Sequence, residues 1–396
     1  MNPLQQRFVE ANGLGDIAAK VLAGERLDRE DGLRLARQAD LLAVGALANH
    51  VRERRHGDAA YYIVNQHINH TNICVAGCKF CAFYRTARQP DAYVLSPADV
   101  ERRMREVGDE PIREIHMVGG VNPDLPFDYY TEVIRTMKRV RPDVHVKAFT
   151  MVEIAAMAEN FGMPVEEVLT RLKEAGLGSI PGGGAEILTD HAHQVLFKGK
   201  IDHRAWIEIA CTAHRLGLRS NATMMFGHVE NLEDRIDHMI LLREAQDRTG
   251  GFMAFIPLAF HPENTRLSHI PRPTAAEELR MLAVGRLMLD NFPHIKAYWI
   301  MMTPRVAQAG LWFGADDFDG TVVTEEIYHR AGSTSPQGIG RERLVALIEE
   351  AGREPVERDT LYNRVGAPEA SRPAGAAAGA ALTPRETIAG PGLTPA

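Results

Sequence analysis

The chain has 396 residues, 45% hydrophobic and 24% charged, which is ordinary for a globular protein and allows several domains or one large barrel with additions. A net charge of −7 speaks against a general nucleic-acid binder, no apolar run approaches the roughly 20 residues of a membrane helix, and the N-terminus lacks a signal-peptide layout, so a cytoplasmic protein with no nucleic-acid or membrane partner is expected. Only four cysteines occur, and three of them crowd between positions 74 and 81; this excludes a disulfide framework and points to a local thiolate site.

Residues 1–56 read as a helical extension, with Leu33, Ala36, Leu47 and Val51 among the apolar residues at helical spacing. From 57 to 325, short β-rich runs alternate with amphipathic helices. The strands are expected at Tyr62–Asn69, Glu114–Val118, Val144–Phe149, Gly178–Ile180, Ser220–Phe226, Ala254–Phe260, Lys296–Met301 and Asp317–Val323. Ser96-Pro97-Ala98-Asp99 opens one helix with an N-cap, a first-turn proline and an acid. Gly176 closes another, and Thr274-Ala275-Ala276-Glu277 reads as a capping box. Residues 326–365 are expected to form a helical extension, with Glu342–Ala351 its clearest piece. Residues 366–396 are dominated by Ala, Gly and Pro and are expected to be a disordered tail.

This alternation predicts an α/β fold, a TIM-type (β/α)8 barrel with N- and C-terminal helical extensions. A doubly wound open sheet fits the same periodicity. A barrel would place its site at the C-terminal ends of the strands, and the chemically distinctive residues fall there. Cys74, Cys78 and Cys81 follow the first strand with C-x3-C-x2-C spacing. Three thiolates on a tight loop suit three irons of a [4Fe–4S] cluster with one iron left open. A zinc site is the alternative, with His67 and His70 nearby but no second pair of cysteines. Cys211 sits mid-helix and reads as a core residue.

Gly119 and Gly120 end the second strand and permit close backbone approach. Thr150 and Glu153 follow the third; Glu153 reads equally as a ligand-binding acid or as a first-turn helix acid. Pro181-Gly182-Gly183-Gly184-Ala185-Glu186 ends the fourth strand and suggests a ligand pressed against backbone. His228 and Glu230 follow the fifth, His261 and Arg266 the sixth, and Lys296 lies on the seventh. His56, His191, His193 and His294 read as bystanders.

The three cysteines, with Phe80 before the last, resemble the signature of the radical S-adenosylmethionine (radical SAM) superfamily. The resemblance implies that S-adenosylmethionine chelates the open iron and is cleaved to a 5′-deoxyadenosyl radical. It implies cofactor contacts at Phe80, Gly119, Gly120, Thr150, Glu153, Glu186 and Glu230. HINHTNICVAGCKFCAFYR, HMVGGVNPDLPFDYY, HVKAFTMVEI, SIPGGGAEIL, NATMMFGHVEN, GGFMAFIPLAFHPENTRL, HIKAYWIMM and FGADDFDGTVV together resemble the aminofutalosine synthases of menaquinone biosynthesis.

Two sister groups share the barrel and GGGAE: the dehypoxanthine futalosine cyclases and the enzymes that make the F420 deazaflavin. HMVGG, KAFTMVEI and HIKAYWIMM favour the synthases. The chain departs from the family after GGGAEIL, where Ala192-His193 replaces a usual Val-Arg pair; Lys198 or Lys200 would then supply the positive charge. The implied reaction adds the 5′-deoxyadenosyl group to 3-[(1-carboxyvinyl)oxy]benzoate, forming aminodeoxyfutalosine and releasing methionine and hydrogencarbonate. A reducing donor such as flavodoxin or ferredoxin is implied. The two substrate carboxylates call for cationic or hydrogen-bonding groups, with His228, His261, Arg266 and Lys296 as candidates, and the ring calls for an aromatic wall from Phe226, Phe260 and Tyr298.

Overall fold

In the computed structural model, which describes residues 1–366 except Lys198, four helices come first: Pro3–Ala11, Gly15–Ala23, Arg29–Arg37 and Leu41–His56. Their starts are chemically fixed. Asp28 and Asp31 exchange side-chain-to-amide bonds of 2.9 and 3.1 Å, and the Asp40 carboxylate accepts from the Ala43 amide at 3.0 Å. Helix Leu41–His56 packs on helix Ala275–Met288, and Arg29–Arg37 on Leu232–Thr249, so the extension covers the barrel's outer ring.

The strands are β1 (Ala59–Ile63), β2 (Asn65–Ile68), β3 (Glu114–Met117), β4 (His145–Ala148), β5 (Leu177–Ile180), β6 (Arg219–Phe226), β7 (Phe252–Ala259), β8 (His294–Ile295), β9 (Asp317–Gly320) and β10 (Glu354–Glu357). β2 to β8 form one parallel sheet in sequence order, and a second parallel sheet runs β10–β1–β9. β9 closes the barrel. Tyr61 and Ile63 of β1 pair with Asp317 and Gly320, while the Ala297 amide beyond β8 donates to the Asp317 carbonyl at 2.8 Å. From β2 onward helices lie between successive strands, as a TIM-type barrel requires.

Several expectations need adjustment. The run Tyr62–Asn69 divides at Val64: its first half pairs with β9 and β10, its second with β3. Lys296–Met301 is not a strand. Only His294–Ile295 is, with a single bridge from Lys296 to Asp317; Trp299–Met302 then forms a helical turn held by the Trp299 indole donating to the Gly320 carbonyl at 2.9 Å. β9 stops at Gly320 because Thr321 turns its hydroxyl to β2, donating to the Asn65 carbonyl at 3.0 Å. The Thr274 hydroxyl accepts from the Glu277 amide, but the return bond of a capping box is missing; Glu277 pairs instead with Arg235 at 2.7 Å. The stretch 326–365 contains, besides helices, the strand β10. The proposed tail from 366 lies outside the described residues beyond Gly366.

The barrel's lower end is tied by a buried network. Asp316 accepts from Arg286, from the Ile295 amide at 2.8 Å and from His294 at 2.5 Å, and Tyr362 stacks on His294 with centroids 3.6 Å apart. His56 completes it, held near pKa 4 by burial. His56 and His294, expected to stand apart from the site, do so as satisfied core residues.

Candidate functional site

Beyond Ile68 the chain leaves the barrel in a long loop that carries Cys74, Cys78 and Cys81. All three are free thiols and line one cavity of about 270 Å³ over the strand ends. The loop is built tightly. Gly77 takes φ +58, where a side chain would be strained, and the Arg85 guanidinium donates to the Ala82 and Tyr84 carbonyls at 2.9 Å while pairing with Asp91 at 2.8 Å. Arg266 does not reach the cavity. It is exposed, donates to the Gly77 carbonyl and lies over Tyr84, so it straps the cysteine loop from outside.

Gly119 and Gly120 are required by the protein's own packing. A Cβ at Gly119 would meet the His70 ring at 2.5 Å, and one at Gly120 the Ile73 carbonyl at 2.2 Å. The close approach expected of a ligand is made first by the cysteine loop. Glu153 completes this corner. Its Oε2 accepts from the Thr150 amide at 2.8 Å and hydroxyl at 2.9 Å, closing a capping box; its Oε1 accepts from His70 at 3.1 Å and the Gly119 amide at 3.2 Å. Of the two readings of Glu153, the helix-capping one is realised, and the same carboxylate holds Gly119 in place. Thr150 and Glu153 both line the cavity.

The three glycines after β5 do different things. A Cβ at Gly182 would strike the Asn221 backbone at 2.6 Å, and Gly184 takes φ +88 against Val152; Gly183 meets only the Thr150 methyl at 3.3 Å and stands at the cavity wall. Glu186 follows with φ +48 and pairs with Lys200 at 2.5 Å. The Lys200 ammonium lies 5.1 Å from the Phe80 ring centroid and 4.7 Å from that of Phe197. Burial opposes its charge, but Cys78 and Glu186 beside it raise its pKa. Lys200 therefore brings a cation to the cavity wall beside Glu186 and Phe80; Lys198 lies outside the described residues.

Two expected site residues are used elsewhere. His228 and Glu230 do not line the cavity among the described residues. The Glu230 carboxylate is fully buried and accepts from the His228 amide at 2.8 Å and from Arg235 at 2.8 Å; burial raises its pKa, but the His228 ring, Arg235 and the Gly227 amide outweigh that and bring it to about 2. His228 bonds back to the Met225 carbonyl at 2.9 Å. Both shape the turn after β6. Phe226 is also turned away, under Arg235 at 5.3 Å. His261 and Lys296 do line the cavity, with Phe260 and Tyr298 as apolar wall. His261 bonds the Met301 carbonyl at 3.0 Å and leaves Nδ1 unpartnered, while Lys296 pairs with Asp319. Cys211 is fully buried in its helix, as expected of a core residue.

His116 and Lys147, which the sequence did not single out, also line this cavity, as does His67, considered there only as a zinc ligand. Their signal was a polar residue in the middle of an apolar strand: Ile115-His116-Met117 and Val146-Lys147-Ala148.

The donor set fits a metal cluster. Burial pushes the Cys78 thiol up to about 12 and Cys81 in the same direction, with Lys200 only partly offsetting it, so ionisation of either at neutral pH calls for a stronger positive centre such as a bound metal. Among the described residues, the one trio of ligands close enough for a single ion is His56, His294 and Asp316, at the opposite end of the barrel. The three sulfurs do not all stand within 4.8 Å of one another as that trio does.

A parallel barrel with three unpaired thiols beyond its first strand defines a radical SAM protein. The family model of the Radical SAM superfamily matches residues 68–242, and that of the CofH/MqnC C-terminal region matches 249–371. The chain is 46% identical to an aminodeoxyfutalosine synthase of Thermus thermophilus, covering 88% of this chain and 95% of that one. It is 40% identical to an aminodeoxyfutalosine synthase of Streptomyces coelicolor (88% and 92%) and 37% identical to a cyclic dehypoxanthine futalosine synthase of Halalkalibacterium halodurans (87% and 93%). Among solved structures, methylornithine synthase (PylB) superposes with a TM-score of 0.69 at 16% identity, covering 85% of this chain and 96% of that one; this likeness establishes the fold. The chain belongs to the radical SAM superfamily, in the family that holds the aminodeoxyfutalosine synthases, and is an enzyme.

Proposed function

We propose that the chain joins the 5′-deoxyadenosyl group of S-adenosylmethionine to 3-[(1-carboxyvinyl)oxy]benzoate, yielding aminodeoxyfutalosine, methionine and hydrogencarbonate. The observation that carries this reading is the 46% identity over nearly the whole length of an aminodeoxyfutalosine synthase, with the three cysteines, the glycine corner and a polar, aromatic-walled cavity in one place. A [4Fe–4S] cluster held by Cys74, Cys78 and Cys81 would supply the electron that opens S-adenosylmethionine. The chain's own groups do the rest. Gly119, fixed by Glu153, and Gly120 offer backbone to the cofactor. Phe80, Thr150, Glu186 and Lys200 border it. Phe260 and Tyr298 wall the aryl ring, and His261 and Lys296 present polar groups to the carboxylates. His228, Glu230 and Arg266 act one step back, by holding the β6 turn and the cysteine loop. A small reducing protein, flavodoxin or ferredoxin, is proposed as the donor.

The test is anaerobic reconstitution of the full chain with iron and sulfide, followed by S-adenosylmethionine, a reductant and the enol-ether substrate. Mass spectrometry should find adenosyl carbon covalently joined to the aryl group. Release of free 5′-deoxyadenosine from a futalosine-type substrate, with no adduct from the enol ether, would instead assign the cyclase reaction.

A further inference from the structure

Below the strand ends the barrel interior is polar in one unusual layer. His67 of β2 and His116 of β3 are direct neighbours across the sheet, and His116 and Lys147 of β4 are the next pair. The two imidazoles stack with centroids 4.5 Å apart and planes 21° apart. All three side chains face the cavity, together with Lys296 and Asp319 from the closing side of the barrel. Burial, reinforced for His116 by His67 and Lys147, depresses the pKa of both rings. Lys147 meets Glu114 at 2.7 Å and Lys296 meets Asp319, one acceptor each for ammonium groups that carry three donors. Buried polar groups are normally satisfied, and this layer is not closed by the protein's own groups.

We infer that His67, His116, Lys147 and Lys296 form a carboxylate-binding floor that seats the ring carboxylate of an aryl-ether acid. The inference rests on the proposed function for the identity of the acid. The floor offers N–H donors from four side chains; the two lysine charges are already matched by Glu114 and Asp319, so an added carboxylate is held by those donors and not by a net positive charge. Its depth selects which carboxylate binds there. His116 lies three residues before Gly119, about 10 Å further down the strand at 3.3 Å per residue. The cysteine loop and the glycine corner stand at the upper end, where the cofactor reacts with the vinyl group. A benzene ring with its ether upward therefore reaches the floor with the meta carboxylate, while the enol carboxylate stays near the strand ends beside His261. The floor becomes the specificity element: it admits an aryl acid and rejects a neutral ring, because a neutral ring leaves the donors unpaired.

Calorimetric titration of the reconstituted full chain, with S-adenosylmethionine present, compares two inert probes, 3-methoxybenzoate and 3-methoxybenzyl alcohol. Wild type should bind the acid about tenfold or more tighter, the worth of a charge-assisted hydrogen bond. The double variant His67→Phe, His116→Phe should bring the ratio close to one. His67→Asn with His116→Gln, which keeps N–H donors in the layer and tolerates the same barrel, should restore part of it, and thermal melts report folding of each. Equal preference for the acid in wild type and the folded variants overturns the floor, as does a wild type that does not prefer the acid. Adduct formation is scored separately. A wild type that prefers the acid but forms no adduct from the enol ether leaves the floor standing and removes the proposed reaction.

Discussion

The tightest constraint at the site is a single missing methyl group. A Cβ at Gly120 would stand 2.2 Å from the Ile73 carbonyl and 2.9 Å from the Cys74 Cβ, both part of the cysteine loop. Backbone cannot yield there as a flexible side chain would. Gly120→Ala should cost about 1–3 kcal/mol in stability and displace the loop, so that iron and sulfide per chain after reconstitution fall well below wild type. Unchanged iron content and melting would show that the corner is looser than its geometry implies. The cysteines themselves are legible in sequence because their spacing is local: three thiols in eight positions need no tertiary knowledge. His67, His116 and Lys147 are not legible as a set, since joining them requires the register of three strands far apart in the chain. Glu153 and Glu230 show the reverse problem. Both follow strands where ligand-binding acids belong, yet the protein spends their oxygens on its own amides, His70 and Arg235.

At the scale of elements, helix starts read well where the cap is self-contained, as in Ser96 with Asp99 and Thr150 with Glu153, and less well where a distant partner competes. Glu277 is lost from its capping box to Arg235, and the next residue carries a further consequence. Glu278 sits in the first turn of helix Ala275–Met288, where the helix dipole favours a carboxylate, but burial dominates and raises its pKa to about 8. Its folded pKa thus lies above the unfolded value near 4.5. The native state keeps the proton that the unfolded chain gives up, so its contribution is full below pH 4.5 and is lost as pH rises through 8. Chemical denaturation should show wild type losing on the order of 5 kcal/mol over that window relative to Glu278→Gln, which has no proton to lose. Parallel stability curves for the two proteins would remove this assignment. The expected strand at Lys296–Met301 fails for a related reason: an apolar run of that length is equally a buried turn, and only the Trp299 bond to Gly320 decides between them.

Across the whole molecule, the alternation of strands and helices fits a TIM-type barrel and a doubly wound open sheet alike, and it does not show how a barrel closes. Closure depends on β9, whose Asp317 is fully buried and accepts from Arg358 at 2.7 Å and from the Asp319 amide at 2.6 Å. Arg358 in turn lies 4.1 Å from the centroid of Tyr362, which stacks on His294 beneath the barrel. The segment after β10 therefore braces the closing strand from below, while the same strand presents Asp319 and Lys296 to the cavity above. Arg358→Met should leave the Asp317 charge buried without its partner and lower stability by about 3–5 kcal/mol in denaturant titration. A loss under 1 kcal/mol would show that closure does not depend on this pair.

The central claim is that the adenosyl group becomes part of the product instead of acting as a passing hydrogen abstractor. The most direct measurement is a limited-turnover reaction of the reconstituted chain with S-adenosylmethionine carrying 13C at the ribose 5′ carbon and the enol-ether benzoate. The account predicts that the label and the aryl ring leave in one molecule, with one methionine formed per adduct. Label recovered as free 5′-deoxyadenosine, with the benzoate intact, would contradict it.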